Sequence, residues 1–217
     1  MELLRFKRDQ AFLTLDFETC NLSLLPQANA PWQLGWQFNS QGENFSREDW
    51  ILWDDLDKKM SKDAAAITRF SFIEYNQRAK DPVPILEKFE KYFLDPSVIS
   101  ISANGAKFDA WMYNIYRQLL GKSLDWSWYS RHVDIQILEK AAVLGCPIPQ
   151  IGTDEWTFFN IRLGNYHERG LKTNLAYLCG VYDVPYDASR HHASADYDVS
   201  LTKAIFDKQI RKLDVFI

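Results

Sequence analysis

Phe12-Leu13-Thr14-Leu15-Asp16-Phe17-Glu18-Thr19 is a short apolar and β-branched run with two carboxylates set into its end. Such a run reads as a strand, and side chains two apart on a strand share a face, so Asp16 and Glu18 stand side by side. Two like charges that close repel each other, and a hard divalent cation with oxygen ligands is the usual relief. By itself the pair reads more readily as a strand end whose acids face water. The residues further along the chain separate the two cases.

Downstream, Trp32-Gln33-Leu34-Gly35-Trp36-Gln37-Phe38 alternates large apolar with polar or small residues, the period of a half-buried strand. Asn39-Ser40-Gln41-Gly42 closes it as a turn, and residues 44–53 return beside it as a third strand. The chain thus opens with an antiparallel meander led by the acid-bearing strand. Residues 54–80 are charged and helical in pattern. Pro84 then sits in the first turn of a helix with Ile85, Leu86, Phe89, Tyr92 and Phe93 on one stripe, stopped at Asp95-Pro96. Val98-Ile99-Ser100-Ile101-Ser102 is a further strand. After it, Asn104-Gly105 leads into a helix whose apolar face is Phe108, Trp111, Met112, Ile115 and Leu119, which puts Asp109 in its first turns. A carboxylate there also complements the helix dipole.

The bulk numbers describe a single domain over residues 1–217. With 47% hydrophobic and 25% charged residues the chain can bury one sizeable core. No apolar run reaches membrane-spanning length. Cys20, Cys146 and Cys179 are too scattered for a disulfide framework or a metal pair, which is the usage of a reducing, cytoplasmic compartment. A net charge of −4 disfavours a broad duplex-binding surface, while a small site gripping a strand end stays open.

Residues 122–169 are the least regular. Trp126, Trp128, Tyr129, Trp156, Phe158, Phe159 and Tyr166 lie among Arg131, His132, Arg162, His167 and Arg169. Aromatics interleaved with cations suit stacking on unpaired bases, and they equally suit a core with a snorkelling rim. Residues 133–144 read as a helix ended by Gly145, and Leu171, Leu175, Leu178 and Val181 mark another. In Ser189-Arg190-His191-His192-Ala193-Ser194-Ala195-Asp196-Tyr197-Asp198, Ser194 can cap a final helix with the stripe Val199, Thr202, Phe206 and Ile210. Asp196 is then a first-turn acid close to two loop histidines.

Taken in order, Asp16-x-Glu18, Phe108-Asp109 and His191-x-Ala193-x-x-Asp196 resemble the three motifs of the DEDDh 3′-to-5′ exonucleases of the RNase H-like superfamily. The resemblance spans about residues 11–210. Asn104-Gly105-x-x-Phe108-Asp109 is closest in form to TREX-like and phage exonuclease A-type members. The family continues its first motif as Glu-Thr-x-Gly-Leu, with the Leu against the terminal base; here the run is Glu18-Thr19-Cys20-Asn21-Leu22, and Asn is the residue after Gly that best tolerates a left-handed turn. Asp134 stands near an Asp-Thr pair of many members, but Ile135 replaces the Thr and no role is assigned to it.

The resemblance implies an α/β fold with an RNase H-like mixed sheet, its first strands antiparallel and helices on both faces. It implies hydrolysis of single-stranded or frayed 3′ ends to nucleoside 5′-monophosphates, with DNA favoured over RNA and no membrane partner. Two cations about 3.5–4 Å apart suit such chemistry, and all-oxygen ligation points to Mg²⁺ or Mn²⁺ rather than zinc. On the family pattern Asp16 bridges, Glu18 and Asp196 complete the first metal, and Asp109 holds the second through water. His191 is the general base, with His192 as competitor, and Asp198 is the competitor for Asp196. Thr19, Leu22, Asn104 and Phe108 are the substrate-binding candidates, and Arg162, Arg169 and Lys172 candidate strand contacts. An exoribonuclease of the oligoribonuclease type and a catalytically silent binding module are the alternatives.

Overall fold

The structure, a computed structural model, describes residues 6–7, 9–192 and 194–212. Most of the polar lead-in, and Ala193 of the third motif, lie outside them. Strands β1 (Ala11–Thr19), β2 (Pro31–Asn39), β3 (Asn44–Trp50), β4 (Val98–Ser102) and β5 (His132–Asp134) form one sheet in the order β3-β2-β1-β4-β5. The meander is antiparallel as expected, with Asp16 opposite Gly35 and Glu18 opposite Gln33. Strand β4 pairs parallel with β1, and β5 parallel with β4.

Alternation along β1 sorts its side chains. Leu13, Leu15 and Phe17 enter a core with Trp36, Phe89, Phe93, Tyr113 and Tyr116, contributed partly by α4 (Pro82–Phe93) and α5 (Asp109–Leu119). Phe12 faces the other way, toward a core of Ile101, Val133, Trp156, Leu178 and Phe206. That second core is supplied by α6 (Ile135–Leu144), α7 (Asp154–Gly164), α8 (Leu175–Val181) and α9 (Ala195–Lys212). Asp16 and Glu18 share the second face, beneath α9, which packs on β1 and β2.

Four local expectations change. Residues 54–80 form three short helices, α1 (Leu56–Lys59), α2 (Lys62–Thr68) and α3 (Phe72–Arg78), because Ser61 and Ser71 each cap a new start and Arg69, left-handed at φ 54°, ends α2. The helix expected from Val133 begins at Ile135: Val133 joins the sheet and Asp134 caps the helix through the Gln136 amide. The irregular segment contains α7, capped by Thr153, and α8 starts at Leu175, capped by Asn174. Half of the aromatic and cationic residues named in that segment serve the core. Trp128, Trp156 and Phe159 are buried, and Arg131 donates to the carbonyls of Val98, Leu94, Asp95 and Ser127. Trp126, Phe158 and Tyr166 remain exposed, as do Arg162, Arg169 and Lys172.

His132 is fully buried between the hydroxyls of Ser100 and Ser102, each 2.9 Å from a ring nitrogen, and burial pushes its imidazole down to about 3. The unfolded chain protonates this ring below about pH 6.5, whereas the folded chain resists until about 3. The unfolded state therefore binds the extra proton across that window, and stability falls as pH falls through it, by up to about 1.4 kcal/mol per pH unit. Urea unfolding of the wild type and His132→Gln between pH 6.5 and 4 should show a shallower loss in the variant; parallel slopes would mean the ring is not held neutral.

Candidate active site

Three elements converge on the end of β1. Asp16 and Glu18 come from the strand itself. Asp109 comes from the start of α5, and its Oδ1 accepts the amide of Phe17 at 3.1 Å, the residue between the two acids. The parallel pairing to β4 covers only Ala11 to Thr14, so beyond it Asp109 replaces a sheet partner. Asp198 comes from α9. One carboxylate oxygen from each of Asp16, Glu18 and Asp198 lies within 4.8 Å of the others.

The sequence seats the fourth acid at Asp196, and here the structure differs. Asp196 turns toward β3 and accepts a hydrogen bond from the Ser46 hydroxyl. Asp198, only 3% exposed, meets Asp16 and Glu18 instead. Residues two apart on a helix point about 200° from each other, so only one of the two can face the strand. Packing at the start of α9 selects Asp198: the Ala195 amide donates to Gln33 Oε1 at 3.1 Å, and Ser194 Oγ donates to Glu48 Oε2 at 2.8 Å.

Enclosure of these acids shows in their protonation. Burial, followed by the charges of Asp109, Glu18 and Asp198, holds the Asp16 carboxyl well above its ordinary range. Glu18 is raised in the same way by burial, then by Asp198, Asp109 and Glu48. Burial pushes Asp109 up to about 7 although the Phe17 amide opposes it. Glu18 Oε1 is buried with no hydrogen-bond partner among the described residues. Clustered carboxylates, raised proton affinity and an orphaned buried oxygen fit a divalent cation with oxygen ligands.

The loop delivering Asp109 has its own support. Asp134 accepts the amides of Asn104 and Ala106, both at 3.2 Å, in addition to capping α6. Left without a role on the sequence, it orders the turn ahead of Asp109. Asn104 is exposed and left-handed at φ 65°. Gly105 is obligatory there, since a Cβ would stand 1.8 Å from Ser102 Oγ and 2.8 Å from Asp109 Oδ2. Phe108 is partly buried against the core.

Among the other candidates, Leu22 is 84% exposed on the loop after Glu18, while Thr19 is buried and donates to the Asn21 carbonyl at 2.8 Å. Asn21 is not left-handed. It serves as a hub instead, accepting the Ser23 amide at 2.7 Å and donating to the carbonyls of Ala28 and Lys59. Such side-chain bonding to nearby backbone is the other reason Asn occupies turns. His191 is half-buried with Nδ1 2.9 Å from Asp198 Oδ1, and His192 lies outside it on the same turn.

The sheet order, the antiparallel lead strands and the helices on both faces are those of the RNase H-like fold. Solved structures of exonuclease I share it. The likeness to E. coli exonuclease I bound to single-stranded DNA in a zinc form has TM-score 0.68 at 16% identity, covering 94% of this chain and 41% of that one. For E. coli exonuclease I with a dT13 oligonucleotide the values are 0.69 and 15%, covering 94% and 42%. For a product-bound exonuclease I they are 0.65 and 14%, covering 95% and 46%. The chain thus spans less than half the length of these proteins. No family profile and no curated protein sequence matches it. No helix among the described residues is long and apolar enough to cross a membrane.

Proposed function

We propose that the chain is a metal-dependent 3′-to-5′ exodeoxyribonuclease acting on single-stranded ends. The observation that carries this reading is the convergence of Asp16, Glu18, Asp109 and Asp198 at the end of β1, with a buried Glu18 oxygen left unpartnered. The shared fold with exonuclease I, whose solved structures include single-stranded DNA and product complexes, supports the choice of substrate.

Asp16, Glu18 and Asp198 would hold one divalent cation, and Asp109 with Asp16 a second. Mg²⁺ or Mn²⁺ there would supply Lewis-acid neutralisation of the phosphate and of the attacking and leaving oxygens. The chain does the positioning. Asp198 accepts from His191 Nδ1, which fixes the tautomer and leaves Nε2 as the basic nitrogen for the proton of the attacking water. Leu22, standing clear of the surface, would lie against the terminal base, and Asn104 and Phe108 would border the strand.

The test is a time course on 5′-labelled single-stranded DNA and the matching RNA, in Mg²⁺, Mn²⁺ and EDTA. A metal-dependent ladder shortening from the 3′ end, faster on DNA, is expected. A ladder on RNA alone would shift the substrate to RNA, and intact strands under every metal would overturn the assignment.

A further inference from the structure

His192 has no task in the proposed hydrolysis, yet it sits on the same carboxylate as His191. His191 Nδ1 is 2.9 Å from Asp198 Oδ1, and His192 Nδ1 is 3.8 Å from Asp198 Oδ2. The His192 amide also donates to Oδ2, at 3.1 Å, so the turn is folded onto the acid. A positive φ of 59° at His192 accompanies this, and the two rings lie over one another with centroids 3.6 Å apart. One ligand atom from each of His191, His192 and Asp198 falls within 4.8 Å of the other two.

Two imidazoles and a carboxylate differ in kind from the neighbouring donor set. Asp16, Glu18 and Asp198 offer oxygen alone and suit a hard cation, whereas nitrogen donors favour the later first-row divalent ions. We infer that His191, His192 and Asp198 form a site for a borderline cation of the Zn²⁺ type, and that filling it blocks the acidic centre. Asp198 belongs to both donor sets, and an ion held on His191 Nδ1 leaves the ring's proton on Nε2, so the base of the proposed hydrolysis is lost. Metal–ligand bonds of about 2.0–2.2 Å place two donors on one tetrahedral ion about 3.4 Å apart, so the set closes by shifts of at most about 1.4 Å. His192, with its side chain 53% exposed on a turn, is free to make that shift. Asp16 and Glu18 behind Asp198 add a negative field that favours cation entry. Only the blocking of hydrolysis rests on the nuclease reading; the binding site does not.

Co²⁺ is the probe, since its visible absorption intensifies when it is four-coordinate with nitrogen donors and stays weak with six oxygens. The full chain, without nucleic acid, is titrated with Co²⁺ in excess Mg²⁺, alongside His192→Gln and Asp16→Asn. The wild type should develop a strong band, Asp16→Asn should keep it, and His192→Gln should bind about 10–100-fold more weakly, the least that losing a ligand costs when losing a ligand's partner already costs that much. No band in the wild type, a band unchanged in His192→Gln, or one lost in a folded Asp16→Asn would overturn the site. In parallel, the ratio of cleavage rates with and without Zn²⁺ is measured within each protein. It should fall in the wild type and stay near unity in His192→Gln; equal ratios overturn the blocking. A Co²⁺ band with no cleavage in any protein supports the site while overturning the nuclease.

Discussion

Asp198→Ala is expected to lower hydrolysis by at least about 10³-fold, while Asp196→Ala, two residues earlier, changes it by less than about tenfold. The difference follows from where the two side chains end. Asp198 lies with Asp16 and Glu18 and also holds His191, so on the proposed reading its loss removes a ligand and lets the ring turn. Among the described residues Asp196 holds only Ser46 on β3, and a surface hydrogen bond of that kind contributes about 1 kcal/mol to stability. A second readout separates lost function from lost fold. Without metal, Asp16 and Glu18 are crowded by like charge, so Asp198→Asn should melt no lower than the wild type in EDTA. An active Asp198→Ala protein beside an inactive Asp196→Ala would return the ligand to position 196.

The second large effect is expected at a residue with no side chain. Gly35 lies opposite Asp16 on β2. A Cβ there would stand 2.4 Å from the Ala195 carbonyl carbon, 2.6 Å from its oxygen and 2.7 Å from the Asp196 nitrogen. All three are backbone atoms, so no rotamer relieves the overlap, and the first turn of α9 must lift from the sheet. Gly35→Ala should lose about 1–3 kcal/mol in urea unfolding, the usual cost of overpacking. Its rate should fall by about 10²-fold, since lifting the turn displaces Asp198 by about an ångström. Gly42→Ala is the control, because a Cβ at Gly42 meets nothing within 4 Å. A Gly35→Ala protein with full activity would mean that α9 is not seated against β2.

What could be read in the sequence followed from periodicity. Alternation in β1 separates Leu13, Leu15 and Phe17 from Asp16 and Glu18 without any tertiary information, and Gly105 between a strand and a helix delivers Asp109. Those three carboxylates are brought together as the pattern implies. Asp198 was harder to read because the first turn of α9 offers two acids, and spacing from His191 favours Asp196, which the structure turns toward Ser46. A signal was present. Leu201 and Ile205, three and seven residues after Asp198, are buried, and including them with Val199, Thr202 and Phe206 swings the helix stripe toward Asp198. Strand β5 is not legible because three residues are too few to display a period, and Asp134 draws no role because its carboxylate acts on a loop far from it in sequence.

Strand β1 is synthesised well before α9, yet both contribute to one cluster of acids. Contacts so distant in sequence carry a larger loop-closure entropy than local ones. A chain still emerging from the ribosome would carry Asp16, Glu18 and Asp109 with no Asp198 to complete them. On the proposed reading, the acidic set would stay incomplete during synthesis, and hydrolysis would wait until α9 docks.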